Sequence, residues 1–208
     1  PEAFERLAPY AELFDVHCGI EIHNPETPGS KTMQKYLEVI KRTGSKYLGF
    51  VPDFGFLSVQ PNKPQWMKAL KAGVKEEHLQ LAAKLRREGV SQEEAIKQVM
   101  AAGASPAIMP AIAGMFGFVQ FHDEKDLPDL LQELRDILPY SFECHGKFHY
   151  LDESCHEASI PYNEILPVLV EEGFDRYLIC EYEDELYCGG TEFTKRQMIM
   201  EKNLLGIK

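Results

Sequence analysis

The sequence is short of positive charge: 22 Lys and Arg stand against 33 Asp and Glu, a net charge of -11 over 208 residues. A surface of that sign repels phosphate backbones and anionic lipid, so no nucleic-acid partner and no membrane partner are expected. No run approaches the roughly 18 uninterrupted apolar residues that a membrane-spanning helix needs. The start, Pro1-Glu2-Ala3-Phe4, has neither the basic beginning nor the apolar stretch of a signal peptide. Low-complexity tracts, short-period repeats and a glycine-rich phosphate loop are also lacking, which favours an unphosphorylated ligand. The five cysteines, at 18, 144, 155, 180 and 188, are odd in number and include no Cys-x-x-Cys pair, so reduced, mostly buried thiols are expected. What is present, 44% apolar residues, suffices for the core of one domain, 1–208, in a cytoplasmic protein.

Ala3, Leu7, Tyr10, Leu13 and Phe14 recur at helical spacing. The chain thus opens on Pro inside a helix, as a fragment or a processed chain would. Residues 16–23 form a β-branched run ending in the breakers Asn24-Pro25 and Pro28-Gly29, which predicts a buried strand followed by a loop. Met33, Leu37 and Ile40 give a helix closed by Gly44, and 47–53 reads as the next strand. From 61 to 138 the character is mostly helical: Ser91 and Glu94 form a capping box, and the small-residue stretch 104–117 suits a buried helix or a mobile cover. A helix at 127–137, a strand at 141–148, a helix at 162–171, a strand at 177–181 and a helix at 194–205 follow. Strands alternating with helices imply an α/β fold with a parallel sheet.

Each of the four strands ends in a group able to bind metal or move protons: Glu21, Asp53, His145 and Glu181, separated by 32, 92 and 36 residues. In a parallel α/β barrel all strands open on one face, so residues this far apart in sequence converge. Three carboxylates and one imidazole suit one divalent ion, Mn²⁺ first, with Mg²⁺ and Zn²⁺ as alternatives. Here the sequence resembles the xylose-isomerase-like TIM barrels, which include ketose 3-epimerases and inosose dehydratases. The resemblance is carried by Gly19-Ile20-Glu21-Ile22-His23, Gly49-Phe50-Val51-Pro52-Asp53, Cys144-His145-Gly146-Lys147-Phe148 and 173–183, and it covers about 10–57 and 138–205. It implies a (β/α)8 barrel of which this chain supplies the last four βα units, with 61–138 as a helical insertion between the Asp53 and His145 strands. The insertion, the His-Gly-Lys-Phe strand and the closing Glu-Tyr-Glu are similar to the branch containing the larger subunit of the C-glycoside deglycosidases. Missing strands would leave open edges, so a homo-oligomer or association with an absent N-terminal half is expected; the branch also implies a small β-rich second subunit.

The resemblance implies a metal-dependent sugar isomerase or epimerase. Glu21 and Glu181, which also bind metal, would pass a proton at the carbon α to a carbonyl through an enediolate. Loss of a group β to that carbonyl would instead make the enzyme a carbon–carbon lyase on 3-oxo sugars. Lys147, two residues past His145, either stabilises an oxyanion or forms a salt bridge to Glu183 or Asp152. His23 and His149 are placed to touch the sugar or to be structural. Trp66, with Phe54 and Phe56, forms either an aromatic wall for the ligand or part of the core. Cys144 and Cys180 are assigned to packing, and Glu183 and Glu185 to a solvated acidic edge. A DNA phosphodiesterase of the same barrel type is disfavoured by the acidic chain. A non-catalytic barrel fragment that binds sugars or a partner is the alternative from outside enzymology.

Overall fold

A computed structural model describes residues 1–183 and 190–207 of the protein; Glu185 and Cys188 lie outside the described residues. The chain begins α1 (Glu2–Phe14), β1 (Cys18–Ile22), α2 (Lys31–Thr43), β2 (Leu48–Pro52). It continues through α3 (Lys63–Lys71), α4 (Glu76–Arg87), α5 (Gln92–Ala101), α6 (Met109–Met115) and α7 (Leu127–Ile137). It closes with β3 (Glu143–Phe148), α8 (Tyr162–Glu171), β4 (Tyr177–Tyr182) and α9 (Gly190–Leu205).

Local chemistry sets most of these boundaries. The Ser30 hydroxyl accepts from the Met33 N–H to start α2, and Gly44, at φ 62°, ends it in the left-handed region. Ser91 starts α5 by accepting from the Glu94 N–H at 3.3 Å. The Glu94 carboxylate accepts from Gln98 instead of reaching back across the capping box.

β1 pairs parallel with β2, setting Glu21 opposite Val51, and β3 pairs parallel with β4, setting Lys147 opposite Glu181. Parallel bridges at Phe50–Ser141 and Asp53–His145 join the two small sheets, so all four strands point the same way. One face packs under helices: Ile22, Phe50, Cys144 and Phe148 are fully buried in a core shared with α2, α7 and α8. Gly146 belongs to this face, where an added Cβ would come within 2.9 Å of Glu201 Oε1 and 3.2 Å of the Tyr162 hydroxyl.

The first helix departs from its sequence pattern. Phe4 and Ala11 are its buried residues, Phe4 meeting Tyr36 edge-to-face at 5.5 Å. Leu7, Tyr10, Leu13 and Phe14 are 44%, 62%, 73% and 69% exposed. Packing against α2 uses the Phe4–Ala11 line, seven residues apart, so the broader apolar stripe is rotated to solvent.

Within 61–138 a second core runs from Trp66 to Phe121, built by α3 to α6, while α7 joins the first core through Leu130, Leu134 and Ile137. The stretch 104–117 holds a short turn and α6, half-buried: Ile108, Ala111, Ile112 and Met115 pack inward, while Met109, Pro110 and Ala113 face outward. No helix among the described residues is long and apolar enough to cross a membrane.

Candidate metal and proton-transfer site

Parallel pairing brings Glu21 and Glu181, each one residue before its strand's end, beside His145, which stands in the middle of β3 and not at its end. Period-2 alternation turns Ile22 and Cys144 into the core and leaves Glu21, His145, Lys147 and Glu181 on the opposite face. There His145 Nδ1 lies 2.8 Å from Glu21 Oε1 and 3.3 Å from Glu181 Oε2. The three residues each offer one ligand atom within 4.8 Å of the others.

These residues fit a divalent ion. One imidazole nitrogen faces two carboxylates and can carry only one proton for them; its hydrogen bond is to Glu21, and Glu181 Oε2, 3.3 Å away, is buried without one among the described residues. An orphaned buried carboxylate oxygen is costly unless something not in the chain coordinates it. An imidazole with carboxylates is a donor set for Mn²⁺, Mg²⁺ or Zn²⁺.

Asp53, expected as the fourth ligand, is turned elsewhere. Its Oδ1 accepts from the Gly55 N–H at 2.8 Å, and its Oδ2 sits 3.1 Å from Lys147 Nζ. The same ammonium is 3.0 Å from both Glu181 Oε1 and Glu183 Oε2. Burial pushes the Asp53 carboxyl above its usual range, with Lys147 and the Gly55 N–H opposing that rise. Burial by itself would lower the Lys147 pKa, but Asp53, Glu181 and Glu183 outweigh it and hold the amine protonated. Glu183 is shifted down: burial opposes the shift, and its bond to Lys147 prevails. Glu183 is therefore an ion-pair partner of Lys147, not merely an acidic edge, and Lys147 takes Glu183 of the two carboxylates named for it. Asp53, Glu181 and Glu183 surround one ammonium and Glu21 adds a fourth carboxylate to the same cavity, leaving negative charge that a divalent cation would offset.

A cavity of about 440 Å³ opens on these residues, and His23 and His149 border it. His23 Nδ1 lies 2.7 Å from the Asn24 carbonyl, and buried His149 places Nδ1 2.9 Å from the Glu183 carbonyl. Trp66 does not join them: its indole N–H donates to Glu76 at 3.1 Å, and it lines a separate cleft of about 240 Å³. Phe54 and Phe56 are fully buried, so the trio forms no aromatic wall. Cys144 is buried packing, its thiol pushed up to about 12 by burial, and Cys180 lies against Glu201 at 3.6 Å. Sequence reading missed the cavity residues Asn24, Gln65, Lys68 and Phe118. Their only signal was position, after a strand or within the insertion.

No protein-family model matches the chain. It is 27% identical to the C-glycoside deglycosidase alpha subunit of Arthrobacter globiformis over 89% of this chain and 52% of that protein. It is 30% identical to the 3'-dehydrocarminate deglycosidase alpha subunit of a Microbacterium species, covering 88% of this chain and 54% of that protein. The C-glycoside deglycosidase alpha subunit of Microbacterium trichothecenolyticum is 27% identical, covering 88% of this chain and 51% of that protein. The chain thus spans about half the length of the curated relatives it matches.

Proposed function

We propose that this chain carries the metal and proton-transfer site of a carbon–carbon lyase that removes an oxidised sugar from a C-glycoside. The observation that carries this reading is similarity along nearly nine-tenths of the chain to deglycosidase alpha subunits. These relatives favour the deglycosidase over the isomerase or epimerase that the general resemblance implied. Their designation as alpha subunits supports association with a second, different subunit. The four parallel strands are proposed as the C-terminal half of a TIM barrel, with its site at the strand ends.

A divalent ion held by Glu21, His145 and Glu181, Mn²⁺ first among the candidates, would supply Lewis acidity toward the carbonyl of a 3-oxo sugar. The residues of the chain do the rest. One of the two glutamates takes the proton from carbon 2, next to the carbonyl. The electron pair forms the second, π bond between carbons 1 and 2 as the bond from carbon 1 to the departing carbon breaks. That departing carbon takes a proton from the other glutamate. Lys147, held cationic by its carboxylates, places positive charge beside the oxygen where negative charge develops. His23 and His149 present ring nitrogens at the rim for sugar hydroxyls.

The test is incubation of the protein made from the complete gene, loaded with Mn²⁺, with a 3-oxo-C-glucosyl arene, followed by product analysis. Free arene and an unsaturated 3-oxo sugar are expected, with loss of turnover in Glu21→Gln and Glu181→Gln. An epimerised or isomerised sugar with the carbon–carbon bond intact would overturn the reading.

A further inference from the structure

We propose that the helical insertion gives this cavity a second recognition wall, made by Phe118, Lys68 and Gln65, for a flat anionic group attached to the sugar. The proposal rests on the lyase reading, since a C-glycoside joins a sugar to a second, carbon-linked group that needs its own place.

Charge divides the cavity. The strand-end side collects Glu21, Asp53, Glu181 and Glu183, four carboxylates that Lys147 and one divalent ion together would not fully neutralise, so an anion approaching it meets like charge. The insertion side contributes Lys68, whose ammonium forms no ion pair among the described residues. An anionic ligand therefore orients with its polyhydroxyl end at the carboxylates and its charge at Lys68.

Shape supports the same orientation. Phe118 is 80% exposed at the cavity and is displayed there by its neighbours. The Gln120 N–H donates to the Gly117 carbonyl at 3.2 Å, spanning Phe118. The Gln120 side chain accepts from Arg86 at 2.9 Å, and its carbonyl accepts from the Asn24 amide at 3.1 Å. An apolar ring exposed beside a polar cavity, on a turn tied down two residues later through Gln120, is a stacking surface, and a planar partner is what would cover it. Gln65 reaches the cavity across Gly114, where an added Cβ would strike its side-chain oxygen. Trp66, the aromatic residue that the sequence put forward, faces the other cleft, so Phe118 takes that role.

The test is direct binding of two flat probes, 2,4-dihydroxybenzoate and resorcinol, to the protein made from the complete gene, measured by ligand-observed NMR titration. The benzoate should bind about fivefold more tightly, the scale of one partly exposed ion pair. Lys68→Gln should erase that preference, and Phe118→Ala should weaken both probes. Both side chains are exposed, so neither change threatens the fold. Equal binding of the two probes, or a preference that survives in Lys68→Gln, would overturn the wall. Binding needs no turnover. Probe binding as described, with the sugar epimerised or isomerised and its carbon–carbon bond intact, would refute the lyase and keep the wall. Cleavage with KM unchanged in both variants would do the reverse.

Discussion

Lys147→Met is the perturbation whose effect follows most directly from the geometry. The ammonium is buried, and Asp53, its partner at 3.1 Å, is only 1% exposed, whereas Glu181 and Glu183 have side chains 34% and 63% exposed. Removing the cation lets the two glutamates turn to water but strands Asp53, which keeps only its bond from the Gly55 N–H. Breaking a buried pair by removing one partner costs about 3–5 kcal/mol, most of it the penalty of the unpaired charge. Asp53→Asn in the same chain removes that charge, so the double variant should recover at least about half of the loss. Urea unfolding at pH 7 of wild type, both single variants and the double variant measures this coupling. The deficit of Lys147→Met should also shrink as the pH falls through the raised pKa of Asp53, because a protonated carboxyl needs no counter-charge. A deficit below about 1 kcal/mol, or no recovery with Asp53→Asn, would refute the argument that Lys147 is held by buried charge.

Two further outcomes follow from other parts of the molecule. Burial raises the Glu201 carboxyl from 4.5 to about 7, so the folded chain holds that proton more tightly than the unfolded chain does. Its contribution therefore falls as pH rises from 4.5 through 7: Glu201→Gln should leave stability near pH 4.5 unchanged and raise it at pH 8 by at most about 3 kcal/mol, measured by denaturant titration at both pH values. At the candidate metal site, His145→Ala should weaken Mn²⁺ binding more than Glu181→Gln does, because the imidazole faces both carboxylates while the glutamine keeps a carbonyl donor. Metal titration checks this, and equal losses would count against His145 as the central ligand.

The legible part of the fold was the part written in local periodicity. Helices at 127–137 and 162–171 fall where the apolar spacing put them, because a helix's buried face is a property of residues three and four apart. The four strands fall within two residues of their expected ends for the same reason at period 2. Convergence of Glu21, His145 and Glu181 was legible in part: Glu21 and Glu181 sit one residue before the ends of parallel strands, whereas His145, expected at a strand end, is the third of the six residues of β3 and meets them from mid-strand. Asp53 shared that pattern, but its side chain went to a lysine whose reach no spacing rule encodes.

By itself, then, the sequence determined the elements, their order, the acidic character of the site and the residue types gathered there, since these depend on propensity, alternation and composition. Tertiary structure alone decided which side chains pair across it. It set Lys147 among three carboxylates, rotated α1 so that Phe4 rather than Leu13 is buried, and displayed Phe118 at the cavity while Trp66 turned away. Those choices minimise the cost of burying charge and apolar area over contacts distant in the chain, and no window of neighbouring residues contains that sum.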